Sequence, residues 1–226
     1  MEEEGHSQLR ELYEEFLPCL YQKEEYQQAE NVSWPFLMYA HEEYYQVPCK
    51  MLFVGKETHT WRPEQDKDVK TPTYSEVVEY YQTFIKQRQP ASPFWRFIKS
   101  VIPPQANVKS ILWTNLSKLD QGGKRPQGDL FDNTMQLFLN LLVKEIAIVK
   151  PDIVLIMTTD PHYQWHLNER FRSHSATSQA GHLPPLSGPG LPSNTFQISH
   201  PNSLQQRRLF DQTVKEVHQV IQSICQ

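Results

Sequence analysis

Apolar residues along the chain follow two alternating patterns. Short strand-like segments alternate with segments whose apolar residues recur every three or four positions, as in helices. The short segments predict strands over 50–55, 108–116, 150–158 and 195–200. The apolar run of 150–158 is continuous, which is typical of a strand that is covered on both faces. The helical pattern predicts helices over 8–22, 74–87, 92–102, 128–149, 161–173 and 203–224, with Ser75 and Asp129 as caps of the second and fourth.

Strands that alternate with helices indicate a parallel sheet packed between helical layers. We therefore expect one domain over residues 1–226, a three-layer α/β/α sandwich with a central four-stranded parallel sheet. Residues 1–48 are expected to form an N-terminal helical extension. Residues 175–194, which are rich in Pro, Gly and Ser, are expected to form a long surface loop.

Length and charge narrow the possible functions. A chain of 226 residues fits one sizeable α/β domain. The net charge of −4 is not the strongly basic balance of proteins that coat nucleic acids, although it allows one local nucleic-acid site. No apolar run approaches the ~18 to 20 residues of a membrane span, and the acidic N-terminus lacks a signal-peptide core.

The three cysteines, Cys19, Cys49 and Cys225, are scattered along the chain without a C-x-x-C motif. We therefore expect neither a disulfide framework nor a zinc or iron–sulfur site. This usage fits a reducing cytoplasm. We expect a cytoplasmic monomer that uses no metal and no cofactor.

Polar clusters follow three of the four predicted strands. The first strand runs into "GKETH" (55–59), the second into "NLSK" (115–118) and the last into "HPNS" (200–203). Ligands of parallel α/β sheets bind beyond the carboxyl ends of the strands. The three clusters are therefore predicted to surround one crevice, which is the expected functional site.

These clusters lie in segments that resemble motifs of the uracil-DNA glycosylase superfamily. "FVGKETH", "ILWTNL" and "ISHPNSL" stand in the superfamily's order with sensible separations, and "SPFWRFIKSV" is similar to the Phe-Trp helix of its mismatch-specific branch. The resemblance covers roughly residues 50–210. The chain departs from the commonest first motif, which has Asp, Pro and Tyr where Glu57, Thr58 and His59 stand here. It departs from the last motif at Asn202 and Ser203.

The resemblance implies roles for the residues at the strand ends. Glycosidic cleavage builds positive charge on the sugar and negative charge on the leaving base, so it needs a carboxylate, a hydrogen-bond donor and a pocket for a flipped base. Glu57 would orient water and stabilise the sugar cation, and His200 would donate to the base. Asn115 would read the base edge beside Gly55. Its amide suits uracil in one orientation and cytosine in the other.

The departure from the family motif at His59 concerns the residue that would lie opposite the 5-position of the base. His59 stands where the uracil-specific branch has a Tyr that rejects a 5-methyl group. A smaller polar residue predicts tolerance of 5-substituted pyrimidines, including the hydroxymethylated or glucosylated cytosines of phage DNA. His174 and His182, in the long loop, could add walls for a larger base. The aromatic residues that could stack on the base are Trp61, Phe94 and Trp95.

Other residues are candidates for contacts with DNA. Leu204 stands where the superfamily has an apolar wedge that fills the hole left by the flipped base, and it suits the core of the last helix equally well. Donors and cations that could contact phosphates follow the second and last strands. They are Ser117, Lys118, Lys124, Arg125, Ser203, Gln205, Arg207 and Arg208.

The sequence thus predicts a monofunctional, metal-free DNA glycosylase that removes a modified pyrimidine and leaves an abasic site, in antiviral defence or in repair. Two alternatives stay open. One is a uracil-DNA glycosylase of base-excision repair. The other is a DNA- or protein-binding module without catalysis, because Glu57 carries its carboxylate one methylene further out than Asp, which could spoil the geometry of the water.

Overall fold

Six strands are present in the computed structural model, which describes residues 2–66, 70–87, 89–103, 106–173 and 183–225. They are β1 (Met51–Gly55), β2 (Leu112–Asn115), β3 (Ile153–Met157), β4 (Arg172–Ser173), β5 (Leu186–Ser187) and β6 (Thr195–Ile198). Four of them form an all-parallel sheet in the order β2-β1-β3-β6. The two-residue strands β4 and β5 pair antiparallel.

Helices pack around this sheet in two groups. The helices are α1 (Glu2–Tyr21), α2 (Glu24–Gln28), α3 (Glu42–Gln46), α4 (Tyr74–Lys86), α5 (Pro93–Val101), α6 (Asp129–Val149), α7 (Pro161–Arg170), α8 (Pro201–Gln206) and α9 (Phe210–Ile224). α1, α2 and α6 pack together, α4 packs on α1, and α5, α8 and α9 form the second group. Every residue of β1 and β3 is buried, as their continuous apolar sequences predict. The predicted three-layer α/β/α fold is confirmed.

The caps of two helices differ from the prediction. α4 begins after Thr73 rather than Ser75, because Thr73 and Glu76 form a capping box in which the Glu76 carboxylate accepts from the Thr73 backbone N–H at 2.7 Å. α6 begins after Gly128, whose φ of 56° is accessible mainly to glycine. Asp129 is therefore the first helical residue, where its charge still favours the positive end of the helix dipole.

The predicted helix 203–224 is two helices. α8 starts at Pro201 and ends in a Schellman motif, in which the Leu209 N–H donates to the Leu204 carbonyl (2.8 Å) and the Arg208 N–H to the Gln205 carbonyl (3.1 Å). Arg208 takes the left-handed position of this motif, with φ 57°. Glycine usually fills that position, so an arginine there gives no obvious sign in the sequence that the helix ends.

Within the loop predicted over 175–194, Leu186–Ser187 form β5, which pairs antiparallel with β4. His174 and His182 lie outside the described residues. In the part of the chain that the structure describes, no helix is long and apolar enough to cross a membrane.

The structure joins Cys49 and Cys225 in a disulfide, so the expectation that the cysteines form no disulfide framework is wrong for this pair. The two residues are separated by 176 positions, and only the fold brings the segment before β1 to the end of α9. Cys19 is free and exposed. Cysteine usage therefore no longer supports a reducing compartment.

Candidate active site

A cavity of about 460 Å³ lies at the carboxyl ends of β1 and β2. The chain segment after β1, Asn115 at the end of β2 and His200 after β6 all line it, as the convergence of the polar clusters predicts. Backbone hydrogen bonds continue past the strand ends, from Leu116 N–H to the Gly55 carbonyl (2.9 Å) and from Ser117 N–H to the Lys56 carbonyl (2.8 Å). These bonds fix the first two walls relative to each other.

Aromatic rings form the apolar walls of this cavity, which we call the aromatic chamber. Phe94 faces His200 with nearly parallel rings, 6.2 Å between centroids and 23° between planes. A slot of this size with flat apolar walls and a few polar groups suits a planar heterocycle. The aromatic residues of the lining are Trp61, Phe84, Phe94, Trp95 and Trp113. All three candidates for stacking are thus present in the wall.

Asn115 offers the aromatic chamber a hydrogen-bond donor without a protein partner. Its side chain is buried, and its Oδ1 accepts from the Trp113 indole N–H at 3.2 Å. An indole only donates, so this bond fixes which end of the amide faces Trp113. Among the described residues, Asn115 Nδ2 has no partner, and neither has the buried Trp61 Nε1. Unpaired buried donors are costly unless a ligand supplies acceptors.

Gly55 gives Asn115 the space for this position. A Cβ atom at residue 55 would overlap Asn115 Oδ1 and would come within 3.3 Å of the Phe94 ring. The last residue of β1 can therefore carry no side chain. This explains why the strand ends in glycine immediately before the polar segment.

Glu57 is held between a buried hydroxyl and a half-buried ammonium group. Its Oε2 accepts from the Tyr163 hydroxyl at 2.6 Å, and its Oε1 lies 3.6 Å from Lys56 Nζ. Burial, and then the charge of Glu57, raise the pKa of Tyr163 well above its usual value, so the phenol stays a donor. The Glu57 side chain remains 14% exposed, and Oε1 can reach a further partner.

The role of Tyr163 was not predictable from the sequence, because nothing local distinguishes it from a core residue of α7. Its ring packs edge-on against Phe131, with centroids 5.2 Å apart, and this contact directs the hydroxyl to Glu57. The role of Asp120 was not predictable either, because its partners lie far away in the sequence. It accepts from Thr58 Oγ1 (2.6 Å) and from the Trp61 backbone N–H (3.0 Å), and so organises the segment after β1.

A second cavity of about 510 Å³, which we call the polar chamber, adjoins the aromatic chamber. Lys56, Glu57, His59 and His200 line both chambers. The remaining walls come mostly from the chain after β3 and the start of α8. They include Gly123, Thr158, Thr159, Asp160, Pro161, Asn202 and Ser203. Glu57 and His200 therefore stand on the border between an aromatic and a polar space.

His200 is a neutral imidazole at this border. It caps α8, with its Nδ1 accepting from the Asn202 backbone N–H at 3.3 Å, so the ring proton sits on Nε2. Burial, and the nearby charge of Lys56, lower the pKa of His200 to about 4. A neutral ring with an Nε2–H group is a hydrogen-bond donor at physiological pH.

His59 is an exposed residue on the same border. Its Nδ1–H donates to the Gly123 carbonyl at 2.7 Å, which fixes the ring beside the opening of the aromatic chamber. Gly123 has a φ of 75°, and a Cβ there would come within 2.7 Å of His59 Nδ1. A glycine at this turn therefore leaves room for the His59 ring.

Two predicted phosphate contacts, Ser117 and Lys118, are wrong. Both side chains are fully buried. Lys118 Nζ lies 2.7 Å from Glu145 Oε2, and Ser117 Oγ donates to the Leu119 carbonyl at 2.7 Å. After β2 the chain turns into the core towards α6, so neither residue has surface to offer a phosphate.

Leu204 is only 4% exposed and belongs to the hydrophobic core. The prediction of an apolar wedge at this position is therefore wrong, because the first turn of α8 directs the side chain inward. Ser203 lines the polar chamber. Gln205, Arg207 and Arg208 are exposed, as is Lys124, whereas Arg125 stacks at 4.8 Å over the Phe131 ring.

The sequence matches no protein-family model, and it matches no curated protein. Within the described residues, no three His, Cys, Asp or Glu side chains are grouped to hold a metal ion.

Proposed function

We propose that the protein is a monofunctional DNA glycosylase, which hydrolyses the N-glycosidic bond of an extruded pyrimidine and leaves an abasic site. One observation carries the proposal: Glu57, Asn115 and His200, from three separate segments, line a single cavity of about 460 Å³. A carboxylate, a free amide donor and a neutral imidazole are the groups that this reaction needs.

The extruded base would occupy the aromatic chamber, stacked on Phe94. The donors without a partner, Asn115 Nδ2 and Trp61 Nε1, are buried atoms of residues that line this chamber, and we assign acceptors of the base to them. Both O4 of a uracil and N3 of a cytosine accept a hydrogen bond, so Asn115 fits either ring. The sugar and phosphate would lie on the side of the polar chamber, which places the glycosidic bond at the border where Glu57 and His200 stand.

In the reaction, the bond between the sugar C1′ and the base nitrogen breaks, and its electron pair stays on the base. The Glu57 carboxylate stabilises the positive charge on the sugar and orients a water molecule, whose oxygen bonds to C1′ while Glu57 accepts its proton. His200 Nε2–H donates to the base oxygen on which negative charge builds. Tyr163 keeps the carboxylate in place through Oε2, which leaves Oε1 for the water.

We propose a 5-substituted pyrimidine as the substrate, with hydroxymethylated and glucosylated cytosines as the leading candidates and antiviral defence as the role. His59 supports this choice, because it lines both chambers and is held by Gly123 rather than packed across the opening. A polar substituent at C5 could then extend from the aromatic into the polar chamber.

The test is an assay of abasic sites on a panel of DNA duplexes. Each duplex carries one uracil, one mismatched thymine, one 5-hydroxymethylcytosine or one glucosylated 5-hydroxymethylcytosine, and alkali converts abasic sites to strand breaks. We expect breaks at the substituted cytosines. Breaks at uracil alone would make the protein a uracil-DNA glycosylase. Breaks in none, with DNA still bound, would leave only a binding module.

A further inference from the structure

We propose that Arg96 and Arg208 form a phosphate-binding notch beside the candidate active site, which holds the DNA backbone next to the extruded nucleotide. The inference rests on the proposed function, because it takes DNA as the ligand. Arg96 lies on α5, and Arg208 lies in the turn between α8 and α9. Both line a cavity of about 370 Å³, together with Gln205, Phe210 and Asp211.

The notch is built partly from two helices that also contribute residues to the chambers. α5 contributes Phe94 to the aromatic chamber, and Arg96 follows two residues later. α8 contributes Ser203 to the polar chamber, and Gln205 follows two residues later. A hydrogen bond from the Arg96 guanidinium to Gln205 Oε1 joins the two helices within the notch. A DNA strand that enters the polar chamber would follow α8 to this bridge.

The two guanidinium groups are available to an anion. Arg96 is ordered by Gln205 and by the Phe210 ring, whose centroid lies 5.9 Å from its Cζ. Within the described ranges, neither Arg96 nor Arg208 forms a salt bridge with a carboxylate, whereas Lys56 and Lys118 do. Guanidinium groups bind phosphate through paired N–H donors, so two guanidinium groups that line one cavity without a carboxylate partner suit a phosphodiester.

The distribution of charge along the chain puts the basic surplus in the part of the sequence that carries the chambers and the notch. Residues 1–48 contain 11 acidic and two basic residues, whereas residues 49–226 contain 15 acidic and 20 basic residues. The net negative charge thus belongs to the N-terminal segment, and the part that carries both chambers and the notch is basic. Exposed Lys99 and Arg207 lie near the notch in sequence and add to its field.

Asp211 contributes a negative charge to the notch. A variant without this charge should change DNA binding in the direction opposite to the arginine variants. The Asp211 carboxylate faces the same cavity as the two arginines. A phosphate at the arginines would be repelled by Asp211, so removing this charge should strengthen DNA binding. Loss of an arginine and loss of Asp211 are therefore expected to act in opposite directions.

The experiment measures the salt dependence of DNA binding. Affinity for a duplex is recorded by fluorescence anisotropy between about 50 and 200 mM salt, in a Glu57→Gln parent that leaves the DNA intact. Each lost phosphate contact lowers the slope of log affinity against log salt by about 0.9. We expect that decrease for Arg96→Gln and for Arg208→Gln, and tighter binding at low salt for Asp211→Asn.

Two matched variants control for charge and folding. Arg96→Lys keeps the cation and should keep most of the slope. Arg10→Gln removes an arginine of α1 that pairs with Glu14 at 2.8 Å, and should leave the slope unchanged. Circular dichroism melts confirm that each variant is folded.

The possible outcomes separate this inference from the proposed function. Unchanged slopes in Arg96→Gln and Arg208→Gln, with a parent that binds DNA, would overturn the notch and leave the glycosylase intact. A parent that binds no DNA, together with a wild type that makes no abasic sites, would overturn both.

Discussion

Two glutamates of this protein, Glu57 and Glu145, contact the same kinds of side chain but differ in their capacity to bind another group. Glu57 accepts from the Tyr163 hydroxyl at 2.6 Å and has Lys56 Nζ at 3.6 Å. Glu145 accepts from the Tyr13 hydroxyl at 2.8 Å and has Lys118 Nζ at 2.7 Å. Each carboxylate thus has one tyrosine and one lysine.

The two carboxylates differ in whether an oxygen remains open to a further hydrogen-bond partner. Glu145 is fully buried and both its oxygens are engaged, because Lys118 donates to Oε1 at 3.0 Å as well as to Oε2. Glu57 borders two chambers and keeps Oε1 open to a further partner. Unused hydrogen-bonding capacity beside a cavity, rather than the identity of the partners, therefore distinguishes a carboxylate that can do chemistry from one that stabilises the fold.

The largest expected effect is on the rate of base removal. Glu57→Gln should lower the rate by about 10²- to 10⁴-fold, because a neutral amide neither stabilises the sugar cation nor accepts a proton from water. DNA binding should persist. Glu145→Gln should leave the rate per folded molecule unchanged. Single-turnover assays of abasic-site formation check both variants, and equal losses in the two would erase the proposed contrast.

The next largest effect is on stability. Here the larger loss is expected beside Glu145 and the smaller one beside Glu57. Lys118→Met should lower the free energy of unfolding by about 3 to 5 kcal/mol, because it leaves Glu145 buried and uncompensated. The double variant Lys118→Met, Glu145→Leu should recover much of this loss. Lys56→Met should cost about 1 kcal/mol or less, since that lysine is 26% exposed. Urea denaturation measures all three, and a fully stable Lys118→Met protein would contradict the account.

The two tyrosines sharpen the contrast further. Tyr163→Phe should lower the rate of base removal roughly tenfold, because the Glu57 carboxylate loses the donor that holds Oε2 in place. Tyr13→Phe should lower the free energy of unfolding and leave the rate per folded molecule unchanged. Single-turnover assays and urea denaturation separate the two effects, and an unchanged rate in Tyr163→Phe would assign Tyr163 a purely structural role.

The smallest change is expected for His200, which shares the border with Glu57. Burial and Lys56 lower its pKa to about 4, so its ring should stay neutral between about pH 5 and 8. In this range its NMR signals should not titrate, with His200→Asn used for assignment. Because the unfolded pKa is about 6.5, protonation favours the unfolded chain, and this contribution to stability is lost as pH falls from about 6.5 to 4. A midpoint near 6.5 would contradict this environment.

Strand-end chemistry was predictable because the carboxyl ends of parallel strands meet at one edge of a sheet. The sequence pattern located β1, β2 and β6, and hence placed Glu57, Asn115 and His200 around one cavity. Lys118 was not predictable in the same way. It follows the same strand as Asn115, but its partner lies on α6, and no local pattern indicates that the chain turns inward there.

Long-range partners account for the other differences. Tyr163 reaches Glu57 across 106 positions, and Cys49 meets Cys225 across 176 positions. The apolar periodicity of 203–224 is continuous through the turn at Arg208, so it conceals the break between α8 and α9. Periodicity reports which face of an element is buried, and the fold alone decides which groups meet.

The most direct test is the structure of the Glu57→Gln protein bound to a duplex that carries the substrate base identified by the abasic-site assay, made uncleavable by a 2′-fluoro sugar. The account predicts an extruded base in the aromatic chamber, with an acceptor within about 3.2 Å of Asn115 Nδ2 and an oxygen facing His200. A bound duplex whose base stays stacked, or whose extruded base lies outside that chamber, would contradict it.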